Sequence, residues 1–393
     1  DVSNLREQSN QIRRRGVMPL VLGRQRIGFD VAAMSYSQNI GSDAWLNVIF
    51  GVHYGPCTVE QIKIGETLLA DYPASDYKIE YFLTPGPRNS NLYPASVSQE
   101  NFNNKLDFTG GGVWEVVTFV AGATRAQIDV TWPSGLYFTN DKGKIRNEEV
   151  TGRIEYALVG TENWVAAPFE GYNTARDKNN VLLPAGSFYV NQRSADPVRR
   201  TYEWALDPTK QYKARIKAYD LDGDFPDDQG HVWDTYLTAA RSVFQGQPIV
   251  DQTLACIALR IKASGDLGST LPVVSGIVTP IVPVYKNGNW NTAEPSSNHA
   301  ALVRWLLTGP AAANPLPTSQ INASCATVYN LIAARGWESA VHLTEEMSQE
   351  DAMRICGLAG RFATYWTGED LSFVGDWEKP IPRQVFSPSN VKG

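Results

Sequence analysis

The densest group of carboxylates in the sequence lies between Asp220 and Asp228, a stretch that reads DLDGDFPDD. Alternating aspartates supply hard oxygen ligands of the kind that bind Ca²⁺. However, Phe225 stands where an EF-hand loop needs glycine, and His231 stands where it needs the bidentate glutamate. We therefore interpret Asp220–Asp228 as a solvated acidic loop between strands, with a cation site as the open alternative.

Two pairs of adjacent glutamates, Glu148–Glu149 and Glu345–Glu346, are the next candidates for chemistry. A glycosidase needs two carboxyl groups on either side of the bond that it cleaves. Neighbouring acids in polar turns are more commonly solvated charges, and we interpret both pairs in that way. The sequence contains no GxSxG or HExxH motif and no glycine-rich phosphate loop before a helix. It therefore predicts no catalytic, cofactor-binding or metal-binding residue.

The histidines and cysteines are few and scattered. They are His53, His231, His299 and His342, and Cys57, Cys256, Cys325 and Cys356. Because no two cysteines have CxxC spacing, neither a zinc site nor a redox dithiol is indicated. We predict that the cysteines are buried free thiols. We also predict that His53, His299 and His342 pack in the interior and do not act as bases.

The composition indicates a globular chain with more than one domain and much β structure. Of its 393 residues, 43% are hydrophobic, 19% are charged and 11% are aromatic, and the formal net charge is −6. This length predicts two or three domains, and the glycine, proline and aromatic content favours strands with many turns. The acidic balance disfavours a protein that coats nucleic acid.

The arginine run Arg13–Arg15 is interpreted as a solvated segment. No run of 18 apolar residues is present, so no membrane-spanning helix is predicted. The sequence begins at Asp1 without a signal peptide, which predicts a processed end or a piece of a longer polypeptide.

The apolar run from Trp45 to Phe50 predicts a buried strand, because it is rich in β-branched and aromatic residues. Gly55–Pro56 ends the run, since proline lacks the amide that a ladder needs. Ile62–Ile64 alternates apolar and polar residues and predicts a half-buried strand. Gly65–Glu66 then predicts a two-residue hairpin turn. Leu254–Ala263 predicts a further strand.

Repeated short strands occupy the middle of the chain, after the glycine run Gly110–Gly112. The predicted strands are 114–119, 126–131, 153–159, 188–190, 202–206 and 212–219. Short strands over about 130 residues, separated by turn residues, predict an all-β sandwich. In Tyr212–Tyr219 the lysines and arginine alternate with apolar residues, so these cations are expected to face water.

Helical periodicity occurs only near the C-terminus. The predicted helices are 298–307, 325–335 and 348–363. Gly336 is expected to cap the second helix at its C-terminus, and Ser348 is expected to form a capping-box-like pair with Asp351. Thr367–Asp370 is expected to join two short strands into a hairpin.

The segments Tyr54–Pro56 and Ile62–Leu68 read YGP and IKIGETL. Later segments are Leu254–Ala263 (LACIALRIKA), Leu307–Pro310 (LTGP), Ala352–Cys356 (AMRIC) and the hairpin Trp366–Asp376. In this order they resemble the central tail-tip protein of long-tailed, lambda-like bacteriophages and gene transfer agents, the hub or host specificity protein. His53 is a departure from the family's GYGP pattern. The resemblance covers 17–28, 45–69, 250–263 and 298–376.

The resemblance implies an α+β, mostly β fold, in which a tail-hub β domain is split by an inserted fibronectin-III-like β-sandwich. Val130–Leu136 and Tyr212–Lys217 resemble strands that the family carries in this insertion. We therefore predict the first hub part at 1–107 and the sandwich at 108–249. The second hub part, at 250–393, is predicted to contain strands, three helices and a hairpin.

By the same resemblance, the chain is expected to be a structural virion protein at the distal tip of a phage tail, and not an enzyme. The family's hub is a homotrimer that closes the tail tube, anchors tail-tip and receptor-binding fibre proteins, and opens for DNA ejection on host attachment. The implied partners are further copies of the chain, these tail proteins and a host surface receptor. DNA is expected only as passing cargo, with no cofactor and no stable membrane insertion.

Two alternatives from other functional classes remain open. A carbohydrate-active or peptidoglycan-degrading tail enzyme requires paired carboxylates that converge in a cleft. A glycan-binding adhesion module requires a sandwich with exposed aromatic side chains.

Overall fold

The structure is a computed structural model that describes residues 20–40, 43–108, 111–219, 230–248, 250–262, 273–312 and 314–377. Within these ranges the chain contains 25 strands and three α-helices, which confirms the predicted mostly β, α+β class. The longest of these helices has 12 residues, and none of the described helices is long and apolar enough to cross a membrane.

The first group of strands precedes the predicted sandwich. These strands are β1 (Leu20–Gly23), β2 (Gln25–Gly28), β3 (Asp30–Ile40), β4 (Asp43–Tyr54), β5 (Cys57–Ile64), β6 (Thr67–Leu68) and β7 (Tyr77–Phe82). Gly65 has a φ of 57° in the predicted turn between β5 and β6, which confirms that hairpin.

The middle group contains twelve strands. They are β8 (Ser96–Lys105), β9 (Glu115–Thr118), β10 (Arg125–Trp132), β11 (Tyr137–Thr139), β12 (Ile145–Arg146), β13 (Glu148–Leu158), β14 (Val165–Ala166), β15 (Ser187–Gln192), β16 (Val198–Ala205), β17 (Tyr212–Tyr219), β18 (His231–Val232) and β19 (Tyr236–Phe244).

The last group combines strands and helices. Its elements are β20 (Leu254–Lys262), β21 (Val274–Lys286), β22 (Asn289–Pro295), α1 (His299–Thr308), α2 (Ser324–Arg335), β23 (Ala340–Leu343), α3 (Gln349–Ala359), β24 (Phe362–Thr367) and β25 (Asp370–Gly375). The three helices and the hairpin β24–β25 confirm the predicted C-terminal elements.

β1 pairs with β23, and two larger sheets also join the first and last groups. One has the order β3-β4-β20-β7, and the other has the order β2-β21-β5-β6 with β22 attached to β21. Phe50 and Ile257 lie in the core that also takes side chains from the second sheet. Ile49 and Ala258 pack on the opposite face with Tyr36. Because both faces are covered, β4 and β20 are apolar at most positions, whereas a half-buried strand would alternate.

The helical layer packs on this pair of sheets. Residues His299–Leu307 of α1 are all buried, and α1 contacts α2, α3 and β21. Gly336 ends α2 with a φ of 65°, as predicted. The Ser348 side chain accepts a hydrogen bond from the Asp351 amide at 3.0 Å and donates one to its carboxylate at 2.7 Å. The capping pair predicted from the sequence is therefore confirmed.

The middle strands pair only with one another in the sheets that the structure describes. Their sheets have the orders β16-β10-β19-β8, β14-β13-β17-β9 with β15 on β13, and β12-β11-β18. Trp132 and Ile128 from one sheet share a core with Ile154 and Ile216 from another. The boundaries 1–107, 108–249 and 250–393 stay a prediction. The pairing of β8 with β19 favours a sandwich that begins near Ser96.

Candidate functional site

The acidic stretch Asp220–Asp228 lies outside the described residues. Among the residues that are described, no group of three or more His, Cys, Asp or Glu side chains could hold a metal ion. A cation site at Asp220–Asp228 therefore stays an open alternative that the sequence alone suggests.

The Glu148–Glu149 pair lies at the start of β13, where successive side chains point to opposite faces. Glu148 is 7% exposed and bonds to Nδ1 of His231. Glu149 accepts a hydrogen bond from the Tyr189 hydroxyl at 2.7 Å and pairs with Lys178 at 2.9 Å. The expectation that this pair is simply solvated is wrong for Glu148. The two carboxylates diverge, which is unsuitable for cooperation on one bond.

Glu345 and Glu346 are both exposed, as expected for solvated charges. They line a groove of about 380 Å³. The other lining residues are Leu20, Tyr54, Leu306, Ala311, Leu343, Met347, Ser348, Gln349 and Ala352. No histidine or aspartate is among these described residues, so the groove brings no base or third acid to the pair.

Two of the histidines are packed as predicted. His53 has no exposed surface, accepts a hydrogen bond from the Val21 amide at 3.2 Å and stacks on Trp305. Burial, aided by the nearby His342, lowers the pKa of His53 to about 3. His299 is 2% exposed, and burial lowers its pKa as well. Both imidazoles are therefore neutral at neutral pH and shielded from substrates.

The four cysteines are free and buried, which confirms their prediction. Burial raises the pKa of Cys57, Cys325 and Cys356 to about 12. It raises the pKa of Cys256 to about 11. Since the thiolate is the nucleophile, these thiols are unreactive near neutral pH.

Cations and indole rings alternate on the outer face of the sandwich sheet that contains β17. The Arg215 guanidinium lies 4.3 Å from the Trp114 ring centroid and 4.5 Å from that of Trp164. Lys213 lies 4.8 Å from the Trp164 centroid, and Lys217 lies 5.0 Å from that of Trp114. The side chains of Lys213 and Arg215 are only 16% and 25% exposed. The expectation that they face water is therefore corrected: they point outward, but the two indoles cover them.

Two cations of this ladder of cations and rings, Lys213 and Arg215, are also paired with carboxylates. Glu155 is 8% exposed at its side chain and accepts hydrogen bonds from Arg215 at 2.5 and 2.8 Å. It also pairs with Arg153 at 2.8 Å. Lys213 pairs with Glu162 at 2.6 Å, and this hydrogen bond lowers the pKa of the carboxyl. Because its cations and rings already engage one another, the ladder is suited to holding the sheet rather than to stacking on a sugar.

A buried ion pair links the sandwich to the sheet that contains β3. Arg241 donates two hydrogen bonds to Asp129, at 2.9 and 2.6 Å. The Thr201 hydroxyl donates to Asp129 at 2.5 Å and accepts from the Asn39 amide of β3 at 2.8 Å. The charge network thus reaches strand β3, and its hydrogen bonds join the sandwich strands to that sheet.

A polar cavity of about 390 Å³ lies at the same junction. Gln127 donates to Gln38 of β3 at 3.3 Å and to Glu203 at 2.5 Å. Glu203 also pairs with Arg125, and Arg260 donates to Asn47. The charged groups around the cavity are therefore already bonded, which suits a junction better than a reactive site.

Large apolar side chains are exposed on α3 and on the hairpin β24–β25. They are Ile355, Leu358, Tyr365, Trp366 and Val374. Leu358 is 68% exposed, the highest value for a large hydrophobic residue in the described part of the chain. We refer to these five residues as the C-terminal apolar set. Exposed apolar side chains that form a contiguous patch are typical of surfaces that are covered by a partner.

Sequence reasoning missed the buried ion pair and the ladder. A signal for the pair existed, since Asp129 is a lone acid in the apolar strand RAQIDVTW. A lone charge in an otherwise apolar strand indicates a partner, because burying an unpaired charge is costly. The ladder had no such signal, because Trp114 and Trp164 meet β17 only after folding.

The comparisons with known proteins bear on the middle of the chain. Residues 97–246 match the family described as Tip attachment protein J, FNIII-A domain. No curated protein matches the chain. Among solved structures, a chain from the crystal structure of the T13 IBDV viral particle is similar at 8% identity and a TM-score of 0.20, over 68% of this chain and 78% of that chain. A TM-score of this size supports no argument about fold or function.

Proposed function

We propose that this chain acts as the hub of a phage tail tip. Its match to the FNIII-A domain of tip attachment protein J supports a structural tail-tip protein of the lambda-like phage kind. In this role it closes the distal end of the tail tube, anchors tail-tip and receptor-binding proteins, and opens for DNA on host attachment. The match at 97–246 carries the proposal. Resemblance of the flanking blocks to the hub family supports the more specific role.

The proposed hub works through subunit contacts. A ring of identical subunits needs a heterologous interface that is repeated by rotation. Exposed aromatic and aliphatic side chains are suited to the core of such an interface, and the C-terminal apolar set supplies both types. We further propose a homotrimer as the assembly.

The proposal also assigns different roles to the two regions. The sheets on either side of the sandwich contain strands from before and after it, so the sandwich is an insertion between β7 and β20. We propose that the hub forms the ring and that the sandwich projects from it as a side module, with its boundaries near residues 95 and 249.

Imaging of labelled particles tests this assignment. A short tag inserted in the exposed sandwich turn Asn140–Gly143 is expected to produce three extra densities around the tail tip. A matched tag in the hub turn Asn287–Gly288 controls for insertion itself. Labels along the tail or on the capsid would overturn the tail-tip placement, and a symmetry other than threefold would overturn the trimer.

We also propose that the chain makes and breaks no covalent bonds. The diverging Glu148–Glu149 pair and the protonated, buried thiols support this view. Purified chain incubated with capsule or cell-wall polysaccharide is expected to release no products. Turnover that disappears on substitution of Glu345 and Glu346 would favour the enzyme alternative.

A further inference from the structure

Arg304 of α1 is a buried cation without a carboxylate partner among the residues that the structure describes. It is 7% exposed, and its side chain makes no hydrogen bond or ion pair with any of them. Its guanidinium nitrogens are not among the fully buried, unpartnered side-chain atoms, so they retain contact with solvent. Arg304 is therefore largely buried, but its guanidinium is not sealed from solvent.

The cation lies against one ring of an aromatic group that comes from three elements. The guanidinium lies 4.7 Å from the ring centroid of Trp290 in β22. Trp290 is 5.3 Å from Tyr285 of β21 and 5.4 Å from Tyr329 of α2, measured between ring centroids. All three rings are half-buried. We call Arg304, Tyr285, Trp290 and Tyr329 the Arg304 cluster.

The composition of this cluster is that of an interface hot spot. Tryptophan, tyrosine and arginine dominate the residues whose truncation weakens protein complexes most. A cation–π contact offsets only part of the cost of removing a guanidinium from water. Burial also lowers the pKa of Arg304, which is the sign of a charge held in an unfavourable environment. A carboxylate delivered to this guanidinium would relieve this cost.

We propose that the Arg304 cluster receives a carboxylate side chain from a second copy of this chain. The chain has 41 acidic residues against 35 lysines and arginines, so an approaching copy brings an excess of carboxylates. Arg304 belongs to α1, in the helical layer of the region to which we assign the ring contact. This inference rests on the self-assembly in the proposed function and names the site at which it is strongest.

Self-association of the full 393-residue chain, measured by sedimentation over micromolar concentrations, tests the inference. Arg304→Met keeps an unbranched side chain of similar length and removes the charge. We expect its association to weaken by at least about 30-fold, because removing one partner of a buried charge pair strongly destabilises complexes. Its melting temperature is expected to stay equal or rise, since an apolar residue suits the buried position better.

The matched control is Arg335→Met, because Arg335 also stacks on a tryptophan, at 5.3 Å from the Trp337 centroid, but is exposed. Association of this variant is expected to equal that of the original chain. Arg304→Gln serves as a second charge-removing variant if Arg304→Met fails to fold.

Three results would overturn the inference. Equal association of the Arg304 and Arg335 variants, with the original chain assembling, would refute the carboxylate site and leave the hub proposal intact. A lower melting temperature with unchanged association would place the missing carboxylate within the same copy. An original chain that stays monomeric throughout would remove the self-assembly on which both proposals depend.

Discussion

Buried charges differ in their partners between the sandwich and the proposed hub, which comprises the strands and helices on either side of the sandwich. Among the described residues, the buried charged side chains of the sandwich are Asp129, Glu148, Glu155 and Arg241, and those of the hub are Arg88 and Arg304. Each of the sandwich charges contacts an oppositely charged group or an imidazole within the chain. Arg88 donates instead to backbone carbonyls, including that of Asp251 at 2.8 Å, and Arg304 stacks on an indole.

This difference indicates that the described buried charges of the sandwich are paired within a single copy, whereas Arg304 of the proposed hub is not. A complete charge network stabilises its own fold and gains nothing from a neighbour. A buried cation that has neither a carboxylate nor a carbonyl acceptor, as at Arg304, keeps a desolvation cost that a carboxylate from a second copy would offset. The hub is therefore the region in which assembly and stability are expected to be coupled.

The largest effect on stability is expected from removing one partner of the buried ion pair in the sandwich. Asp129→Ala leaves Arg241, which is 2% exposed, without its carboxylate. We expect the free energy of unfolding of the sandwich to fall by roughly 3–5 kcal/mol, measured by denaturant titration with hydrogen exchange in β10 and β19. Glu60→Ala removes the exposed Arg24–Glu60 pair and should cost under about 1 kcal/mol. Equal losses of stability in the two variants would show that the buried pair contributes no more than the exposed pair.

The next effect concerns a buried base in the hub. His53 has its pKa lowered to about 3 in the fold by burial, whereas its ordinary value is 6.5. Between these values the unfolded chain binds a proton that the folded chain does not. Stability is therefore unaffected above pH 6.5 and falls as pH decreases toward 3, by roughly 1.4 kcal/mol per pH unit.

His53→Phe tests this dependence, because phenylalanine stays apolar at every pH and can still stack on Trp305. The loss of hub stability between about pH 7.5 and about pH 4.5 should be smaller in the variant, by about 2–3 kcal/mol. Buried His299 contributes in the same direction and is unchanged in both proteins. An unchanged pH dependence in the variant would show that His53 is not the buried base responsible.

A smaller effect separates two tryptophans with different surroundings. Trp114 covers Arg215 and Lys217 in the sandwich, whereas Trp366 in the hub is 56% exposed. Trp114→Ala should lower sandwich stability by about 1–2 kcal/mol, from lost cation–π contacts and lost apolar burial. Trp366→Ala should change stability by less than about 0.5 kcal/mol but weaken self-association. Thermal unfolding and sedimentation of the same samples distinguish these outcomes. Weaker association of Trp114→Ala together with lower stability of Trp366→Ala would contradict the proposed difference between the two regions.

Features determined by neighbouring residues could be predicted from the sequence. The Asn287–Gly288 turn has φ values of 50° and 82°, and Gly336 has a φ of 65°, as their residue types indicate. The groups that distinguish the two regions could not be predicted in this way. Arg304 reads as one polar residue in an apolar helix, and its lack of a carboxylate follows only from the packing of β22 and α2 around it. The sequence likewise predicted no reactive group, but it could not name an interface residue.

The smallest effect on stability is expected at the start of α3, where Ser348 caps the helix within a single copy. Ser348 accepts from the Asp351 amide and donates to its carboxylate, and this second bond lowers the pKa of Asp351. Ser348→Ala should lower hub stability by about 1 kcal/mol, because one helix N-terminal amide loses its acceptor. Ser348→Asp restores an acceptor and should recover most of this loss. Because the cap needs no second copy, thermal unfolding should shift while self-association per folded molecule stays unchanged. A loss of association as large as that of Arg304→Met would show that any destabilisation of the proposed hub weakens assembly. The Arg304 site would then be no more specific for assembly than the Ser348 cap.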